Sequence, residues 1–273
     1  RDASSNQFED FLTSEGADVL NEIQKELIAN SPVDPIAGNP SSLMGSMVSS
    51  QFESGYTQDV TEIADTAAPT TEAEAVAQAA SNPNMAALGA RFGRYSVNGV
   101  ESEVISLPLG YSFNFEGGKG LRSISLSMPI TMVDTAGAKT GSVSLGLGVT
   151  YGVTDRWALT PAVSAGVVGS VDLGSAGGIG SASITSSYKM PLDNGNTLSI
   201  GNMVGYFQTL EFEYGDYQFD PGVSNTVTRN GLMLSQPHRW QGRDLAVEYW
   251  FTDTRFFGDA LYSEYYDEVG VSV

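Results

Sequence analysis

The chain has 273 residues, of which only 16% are charged and 31 are glycine. Its net charge of −19 argues against nucleic-acid binding, because phosphate neutralisation requires Lys and Arg. The absence of cysteine excludes disulfides, thiol catalysis and iron–sulfur ligation. No apolar run approaches the roughly 18 residues that a transmembrane helix needs, so membrane insertion would have to be by a β-barrel.

The N-terminal third differs from the rest of the chain in charge. Residues 1–87 contain 14 Asp and Glu but 2 Lys and Arg, a net charge of −12, whereas residues 88–273 contain 18 and 11, a net charge of −7. We therefore predict an acidic, partly helical segment over 1–87 and a β domain over 88–273. The chain begins at Arg1 rather than Met, which we interpret as the removal of a secretion signal, although a fragment of a longer chain would begin in the same way.

Two stretches of the N-terminal segment have helical periodicity. Residues 6–30 place apolar side chains at three- and four-residue spacing, and Pro32 ends the pattern. A weaker apolar pattern over 43–52 predicts a second short helix. Residues 57–84 are rich in Ala, Thr and Glu, and they form either a helix that packs on another element or a linker.

The most informative stretch is TGSVSLGLGVTYGVTDRWALTPAVSAGVV, over residues 140–168. Bulky apolar residues alternate with Ser, Gly and Thr, and this period of two places them on opposite faces of a strand. The small polar face carries almost no charge, whereas the solvent face of a soluble β-sandwich usually carries Lys and Glu. Strands of about ten residues joined by tight turns are typical of a transmembrane barrel that is apolar outside and polar within.

The same alternation continues to the end of the chain and predicts ten antiparallel strands, an even number as in bacterial single-chain barrels. The predicted strands are 89–98, 101–115, 121–133, 141–152, 157–168, 179–190, 197–213, 225–236, 244–256 and 260–273. Pro108, Pro129 and Pro161 lie inside these runs, where each removes a hydrogen-bond donor and calls for a bulge or an edge position. We therefore predict an antiparallel barrel of 10–12 strands, and because the last alternation is unfinished we expect one or two strands beyond these ten.

Strands such as SVSLGLGVTYGVTDRWALTPAVSAGVV, in series behind a helical and Ala-rich segment, resemble the outer-membrane β-barrel superfamily. The arrangement looks most like the β-domain of an autotransporter, and the resemblance covers roughly residues 84–273. It implies a barrel threaded by the helical end of a passenger, here a solitary barrel without a large β-helical passenger. It also implies the outer membrane of a Gram-negative bacterium, with outer-membrane lipid and the barrel-assembly machinery as partners.

No catalytic, cofactor or metal site is predicted. His238 is the only histidine, so neither a Ser-His-Asp site nor metal ligation by several histidines has support. The acidic residues Glu211, Glu213, Asp216 and Asp220 leave open a weak calcium site in a loop, although a solvated acidic loop is the simpler interpretation.

Two sets of residues are candidates for roles specific to a barrel. Arginines on the polar face of a strand would point into the lumen, where they would pair with acidic N-terminal residues or line a pore. The luminal candidates are Arg91, Arg94 and Arg122. Aromatic residues near strand ends would form girdles at the membrane interfaces. The girdle candidates are Tyr111, Phe113, Phe115, Trp157, Tyr206 and Trp250.

Three functions compete. The first is a non-enzymatic outer-membrane barrel of autotransporter type, with the N-terminal segment in the lumen as a plug or displayed as a short passenger. The second is a porin-like diffusion channel, in which the N-terminal segment lies in the periplasm. The third is a soluble, surface-assembled β-protein or adhesin, which would fractionate without detergent.

Overall fold

Two helices precede a large sheet in the computed structural model of the chain. The described residues are 16–37, 39–56, 84–88, 91–115, 119–173, 175–193, 195–214, 217–219, 221–240 and 243–272. Helix α1 is Gly16–Asn30 and helix α2 is Leu43–Tyr56, so both predicted helices are present. The start of the first predicted helix and the Ala-rich stretch lie outside the described residues. Among the residues described, no helix has the length and apolar character needed to cross a membrane.

The sheet is antiparallel throughout. Its strands are β1 (Asn84–Leu88), β2 (Arg91–Val97), β3 (Val100–Asn114), β4 (Gly120–Thr135), β5 (Ala138–Thr154), β6 (Trp157–Ser170), β7 (Ser175–Pro191), β8 (Thr197–Leu210), β11 (Ser224–Trp240), β12 (Arg243–Gly258) and β13 (Tyr265–Ser272), and a separate hairpin is formed by β9 (Phe212–Tyr214) and β10 (Tyr217–Phe219). Both β1 and β2 pair with β3, one after the other along it. The sheet therefore has ten strand positions, each paired with the next along the chain, which confirms the predicted antiparallel arrangement.

The bulky apolar side chains face outward and the small polar side chains face inward. On β5, the side chains of Val143, Leu145 and Leu147 are 37%, 56% and 46% exposed, whereas Ser144 and Thr150 are buried. Successive residues of a strand point to opposite faces, so the period of two in the sequence becomes an apolar exterior. The inside-out pattern predicted from residues 140–168 is thus present in the structure.

The three prolines are accommodated by local gaps in the ladders. Pro108 and Pro129 lie opposite each other in a non-hydrogen-bonded pair of the β3–β4 ladder. Neither residue needs a backbone donor toward the other strand at that pair. Their ring nitrogens point to the outer neighbours instead. On that side, pairing of β3 passes from β1 to β2, and pairing of β4 with β5 stops at Ser127 and resumes at Ile130. Pro161 lies in a similar gap between β5 and β6.

The buried core lies inside the curled sheet, between the inner wall and α2. Strands β7, β8 and β11 present apolar side chains inward, in contrast to the polar inner face of β5. The fully buried members of this wall include Ile179, Met203, Phe207, Val227 and Met233. The inner wall that meets α2 is therefore mixed, with small polar residues along β5 and apolar side chains along β8 and β11.

The curled sheet has two distinct rims. At the first, which we call the turn rim, β3 joins β4, β5 joins β6, β7 joins β8 and β11 joins β12. At the second, the loop rim, the hairpin of β9 and β10 connects β8 to β11. Helix α1 lies at the loop rim, where the Nζ atom of Lys25 is 2.8 Å from a carboxylate oxygen of Asp259. Helix α2 runs from there toward the turn rim.

Candidate functional site

Helix α2 packs against the inner face of β5 to β8, on one side of the lumen. Glycines on the wall and on the helix itself allow the close approach. A Cβ atom added to Gly201 would lie 2.5 Å from Cδ2 of Tyr56, and one added to Gly231 would lie 2.7 Å from Cζ of Phe52. On the helix, a Cβ added to Gly55 would lie 2.7 Å from a threonine Cβ of β7. The helix fits its seat because these three positions are glycine.

Polar contacts fix the rotation of α2 in this seat. The Nε2 atom of Gln51 donates to the hydroxyls of Ser164 and Ser181, at 2.6 and 2.7 Å. The hydroxyl of Tyr56 donates to the backbone carbonyl of Ser199 at 2.9 Å. Because a buried polar group is costly without a partner, these bonds favour one orientation of the helix over others.

A buried ion pair lies on the wall beside the helix. The Nη2 atom of Arg229 is 2.6 Å from Oε2 of Glu268, and its Nη1 atom donates to Thr254 at 2.8 Å. The Arg229 side chain is only 3% exposed. Its guanidinium carbon lies 5.4 Å from the ring centre of Phe52, within the range of a cation–π interaction. The sequence pattern did not indicate Arg229, and it placed Glu268 among acidic residues of a solvated loop, whereas the structure buries it beside the arginine.

The first and last strand positions approach each other at a seam. In the described part of the chain, β2 and β13 share no backbone ladder. The hydroxyl of Tyr95 on β2 donates to Oε1 of Glu268 on β13 at 2.9 Å. One carboxylate therefore contacts both the buried arginine and the opposite edge of the sheet. We call Tyr95, Arg229 and Glu268 the seam cluster.

A cavity of about 990 Å³ remains beside the helix, which we call the side cavity. One of its walls is the face of α2 that bears Ser46, Ser49 and Glu53. The opposite wall comes from β2, β3, β12 and β13, and includes the seam cluster. The cavity also reaches the outer surface at the seam, where the outward-facing Arg94 and Val269 line it as well.

The structure does not place Arg94 or Arg122 in the lumen, where the sequence predicted them. Arg94 is in register with Glu103 and forms an ion pair with it on the outward face, against the predicted luminal position. Arg122 lies in a bulge at the turn rim, where its Nη2 atom donates to the carbonyl of Thr154 at 2.6 Å. Arg91 begins β2, and its side chain lies outside the description, so its luminal role stays a prediction.

Five of the six candidate girdle aromatics are exposed on the outside. They are Tyr111, Phe113, Phe115 and Trp157 near the turn rim and Tyr206 toward the loop rim. Trp250 lies on the inner face instead, in register with the buried Met233, and its indole covers Gly270. The interfacial role of the five outward aromatics stays a prediction.

The other candidate groups show no assembled site. Within the ranges described above, no three His, Asp or Glu side chains are placed to hold one metal ion. His238 is exposed on β11 near the turn rim. Glu211 is exposed, and the side chains of the other loop acids lie outside the description.

The connection between α1 and α2 contains a buried carboxyl group at the loop rim. The Oδ1 atom of Asp34 accepts the backbone N–H groups of Ile36 and Ala37, at 2.9 and 3.1 Å. Burial raises the pKa of Asp34 to about 6, and the two hydrogen bonds only partly oppose this rise. The folded chain therefore holds the proton of this carboxyl to a higher pH than the unfolded chain does.

We expect Asp34→Asn to stabilise the protein at pH 7.5 and to have no such effect near pH 4. A raised pKa costs stability once the pH exceeds the unfolded value, and the cost is complete above the folded value. Two pKa units correspond to about 3 kcal/mol. The amide oxygen still accepts both N–H groups. The free energy of unfolding in detergent, measured at both pH values, checks this. Asp193→Asn, in an exposed turn, is the control, and an equal gain at pH 4 would contradict the assignment.

Comparison with known proteins gives structural similarities alone. No protein-family model matches the sequence, and no curated protein matches it significantly. The chain is similar to the β-domain of the Bordetella autotransporter BrkA, at 16% identity over 64% of this chain and 81% of that one, with a TM-score of 0.49. It is also similar to the translocator domain of the autotransporter NalP from Neisseria meningitidis, at 18% identity over 69% and 74%, with a TM-score of 0.43.

Proposed function

We propose that the chain is a non-enzymatic outer-membrane β-barrel of autotransporter type, located in the envelope of a Gram-negative bacterium. In this proposal the N-terminal segment occupies the lumen, with α2 as a plug or as the root of a short passenger. Outer-membrane lipid surrounds the barrel, and the barrel-assembly machinery inserts it.

The observation that carries the proposal is the inside-out distribution of side chains around a seated helix. A continuous outer surface of Leu, Val, Ile and aromatic residues is far larger than the apolar patches found on soluble monomers. Lipid is the solvent that suits it, and the antiparallel ladders satisfy the backbone groups of the described strands away from the seam between β2 and β13. This supports the membrane interpretation over the soluble adhesin.

The seat of α2 supports a plug over an open porin. Glycines at the closest approaches and hydrogen bonds from Gln51 and Tyr56 hold the helix inside the barrel. A segment that lay in the periplasm would need no such seat. The side cavity favours conduction, and it coexists with the seated helix.

Electrophoresis and conductance test the proposal together. The detergent-extracted chain should migrate faster unboiled than boiled, because a folded barrel resists detergent. In planar lipid bilayers, Gly201→Val should raise the conductance, since the added side chain collides with Tyr56 and displaces the helix. Gly141→Val is the matched control, because a Cβ at Gly141 meets no atom within 4 Å. Solubility without detergent, or equal conductance of the two variants, would overturn the proposal.

A further inference from the structure

We propose that the seam between β2 and β13 binds an acyl ester of the surrounding membrane lipid, whose chain enters the side cavity from the bilayer. This inference rests on the proposed function, because it requires the sheet to be embedded in a membrane. It adds a lipid-binding site to the plugged barrel and assigns the site to residues on both faces of the seam.

The first step of the argument is that the side cavity is continuous with the outer surface at the seam. Outward side chains of both edge strands line the cavity together with inward ones. Phe92 on β2 is 78% exposed, and Val269 and Val271 on β13 are 77% and 63% exposed. In a bilayer such outward side chains face acyl chains, so the apolar exterior of the sheet extends into the mouth of the cavity.

The second step is that the seam leaves a narrow gap beside the contact between Tyr95 and Glu268. Two residues nearer the turn rim on each strand, the inward positions are Gly93 and Gly270. Neither position has a side chain that could close the gap. The ring of Tyr95 lies against Gly93 and the indole of Trp250 covers Gly270, so aromatic faces line the gap from inside. A slender apolar chain is the ligand shape that this gap admits.

The third step is that the wall formed by β3 and β4 is apolar at mid-strand. Pro108 and Pro129 lie opposite each other and both line the cavity, where they offer no backbone N–H. The neighbouring hydroxyls of Ser106 and Thr131 are 3.2 Å apart and hydrogen-bond to each other. The cavity volume of about 990 Å³ lies at the upper end of the range typical of ligand sites, about 300–1,000 Å³. This wall therefore suits an alkyl chain better than a ligand that needs many hydrogen bonds.

A buried donor provides one polar contact for the ligand. The Nε atom of Arg229 has no hydrogen-bond partner among the described residues, although the side chain is 3% exposed and lines the cavity. Buried donors in proteins are nearly always satisfied. Arg229 already has Glu268 as its counter-ion, so a ligand with its own negative charge is not required. The carbonyl oxygen of an ester accepts an N–H without adding charge, which makes a neutral acyl ester the ligand class that fits.

Quenching of tryptophan fluorescence by brominated lipid tests the site. The sequence has three tryptophans, so Trp157→Phe with Trp240→Phe leaves Trp250 as the single reporter, and Trp240→Phe with Trp250→Phe leaves Trp157. Each variant of the full chain is reconstituted in vesicles of dioleoylphosphatidylcholine or of its analogue brominated along the acyl chains. Trp157, which is 37% exposed on the outside, is the lipid-facing reference. Although Trp250 points inward, it should lose a fraction of its fluorescence comparable to that lost by Trp157.

A glycine variant closes the gap and has a matched control. Gly93→Leu, made in the chain with Trp250 alone, should restore most of the fluorescence lost to brominated lipid, because the added side chain fills the gap. A Cβ at Gly93 meets only the ring of Tyr95, at 3.3 Å, so a small movement of that ring accommodates it. Gly141→Leu lies away from the seam, where a Cβ meets no atom within 4 Å, and it should leave the quenching of Trp250 unchanged.

The two proposals fail in distinguishable ways. Quenching of Trp157 without quenching of Trp250 overturns the lipid site and leaves the plugged barrel standing. The same holds if Gly93→Leu and Gly141→Leu are quenched equally, or if aqueous iodide quenches Trp250 and brominated lipid does not. If brominated lipid quenches neither tryptophan, the sheet does not face a bilayer, and the proposed function falls together with the lipid site.

Discussion

Replacing Glu268 by glutamine is expected to lower the free energy of unfolding by about 3–5 kcal/mol, the usual cost of breaking a buried ion pair by removing one partner. The guanidinium of Arg229 would remain in the wall, 3% exposed and without its counter-ion. Tyr95 would lose its charged acceptor across the seam. Urea unfolding in detergent micelles, followed by tryptophan fluorescence, measures the loss.

An exposed ion pair provides the control for this variant. Arg94 and Glu103 also form a pair on neighbouring strand positions, but their side chains are 67% and 66% exposed. Water and salt screen such an exposed pair, so Glu103→Gln should leave the stability almost unchanged. Equal losses for the two variants would mean that burial of the Arg229–Glu268 pair is not what stabilises the barrel.

Phe52→Ala is expected to destabilise the protein by about 3–5 kcal/mol, the range found when a buried phenylalanine is truncated in a protein core. The ring is 1% exposed and lies 4.8 Å, centre to centre, from that of Tyr56. Truncation also removes the aromatic face beneath the guanidinium of Arg229. Because the helix loses contact with the wall, the conductance of the barrel should rise at the same time.

Phe257→Ala is the control for Phe52→Ala, because it removes a phenylalanine ring that does not contact α2. Phe257 is 55% exposed on the outside of β12, so its truncation leaves no cavity in the core. It should change stability and conductance little. If Phe52→Ala left the conductance at the wild-type level while lowering the stability, the ring would stabilise the wall without retaining the helix.

Periodicity predicted the strands well because each face of this sheet has a consistent chemistry. The long alternation around Leu145 placed β5 and β6 with errors of only a few residues at their ends. The second helix was also recovered, since Met44, Met47 and Val48 recur at helical spacing and are buried. The break between β1 and β2 was not foreseen, because it depends on where Pro108 falls in the pairing.

The candidate site was harder to predict because the inner wall changes character around the barrel. Arg94 alternates in phase with Phe92, which is 78% exposed, and this phase would have indicated an outward position. Arg229 is in phase with Val227, an apolar residue that points inward only because the core formed with α2 lies there. If the interior is assumed to be polar, the face of β11 that bears Val227 is predicted to point outward, whereas in the structure it points inward. Trp250 lies between two other aromatic residues, so the alternation of residue types does not show whether its side chain points inward or outward.

The three gaps at Pro108, Pro129 and Pro161 divide the wall into mechanically different halves. Unbroken ladders join β7, β8, β11 and β12, whereas each gap lies among β1 to β6. A sheet that lacks some of its backbone hydrogen bonds between strands needs less free energy to bend than a sheet with complete ladders. We therefore expect hydrogen exchange of backbone amides to be faster in β3 to β6, beside the proline gaps, than in β7 to β12.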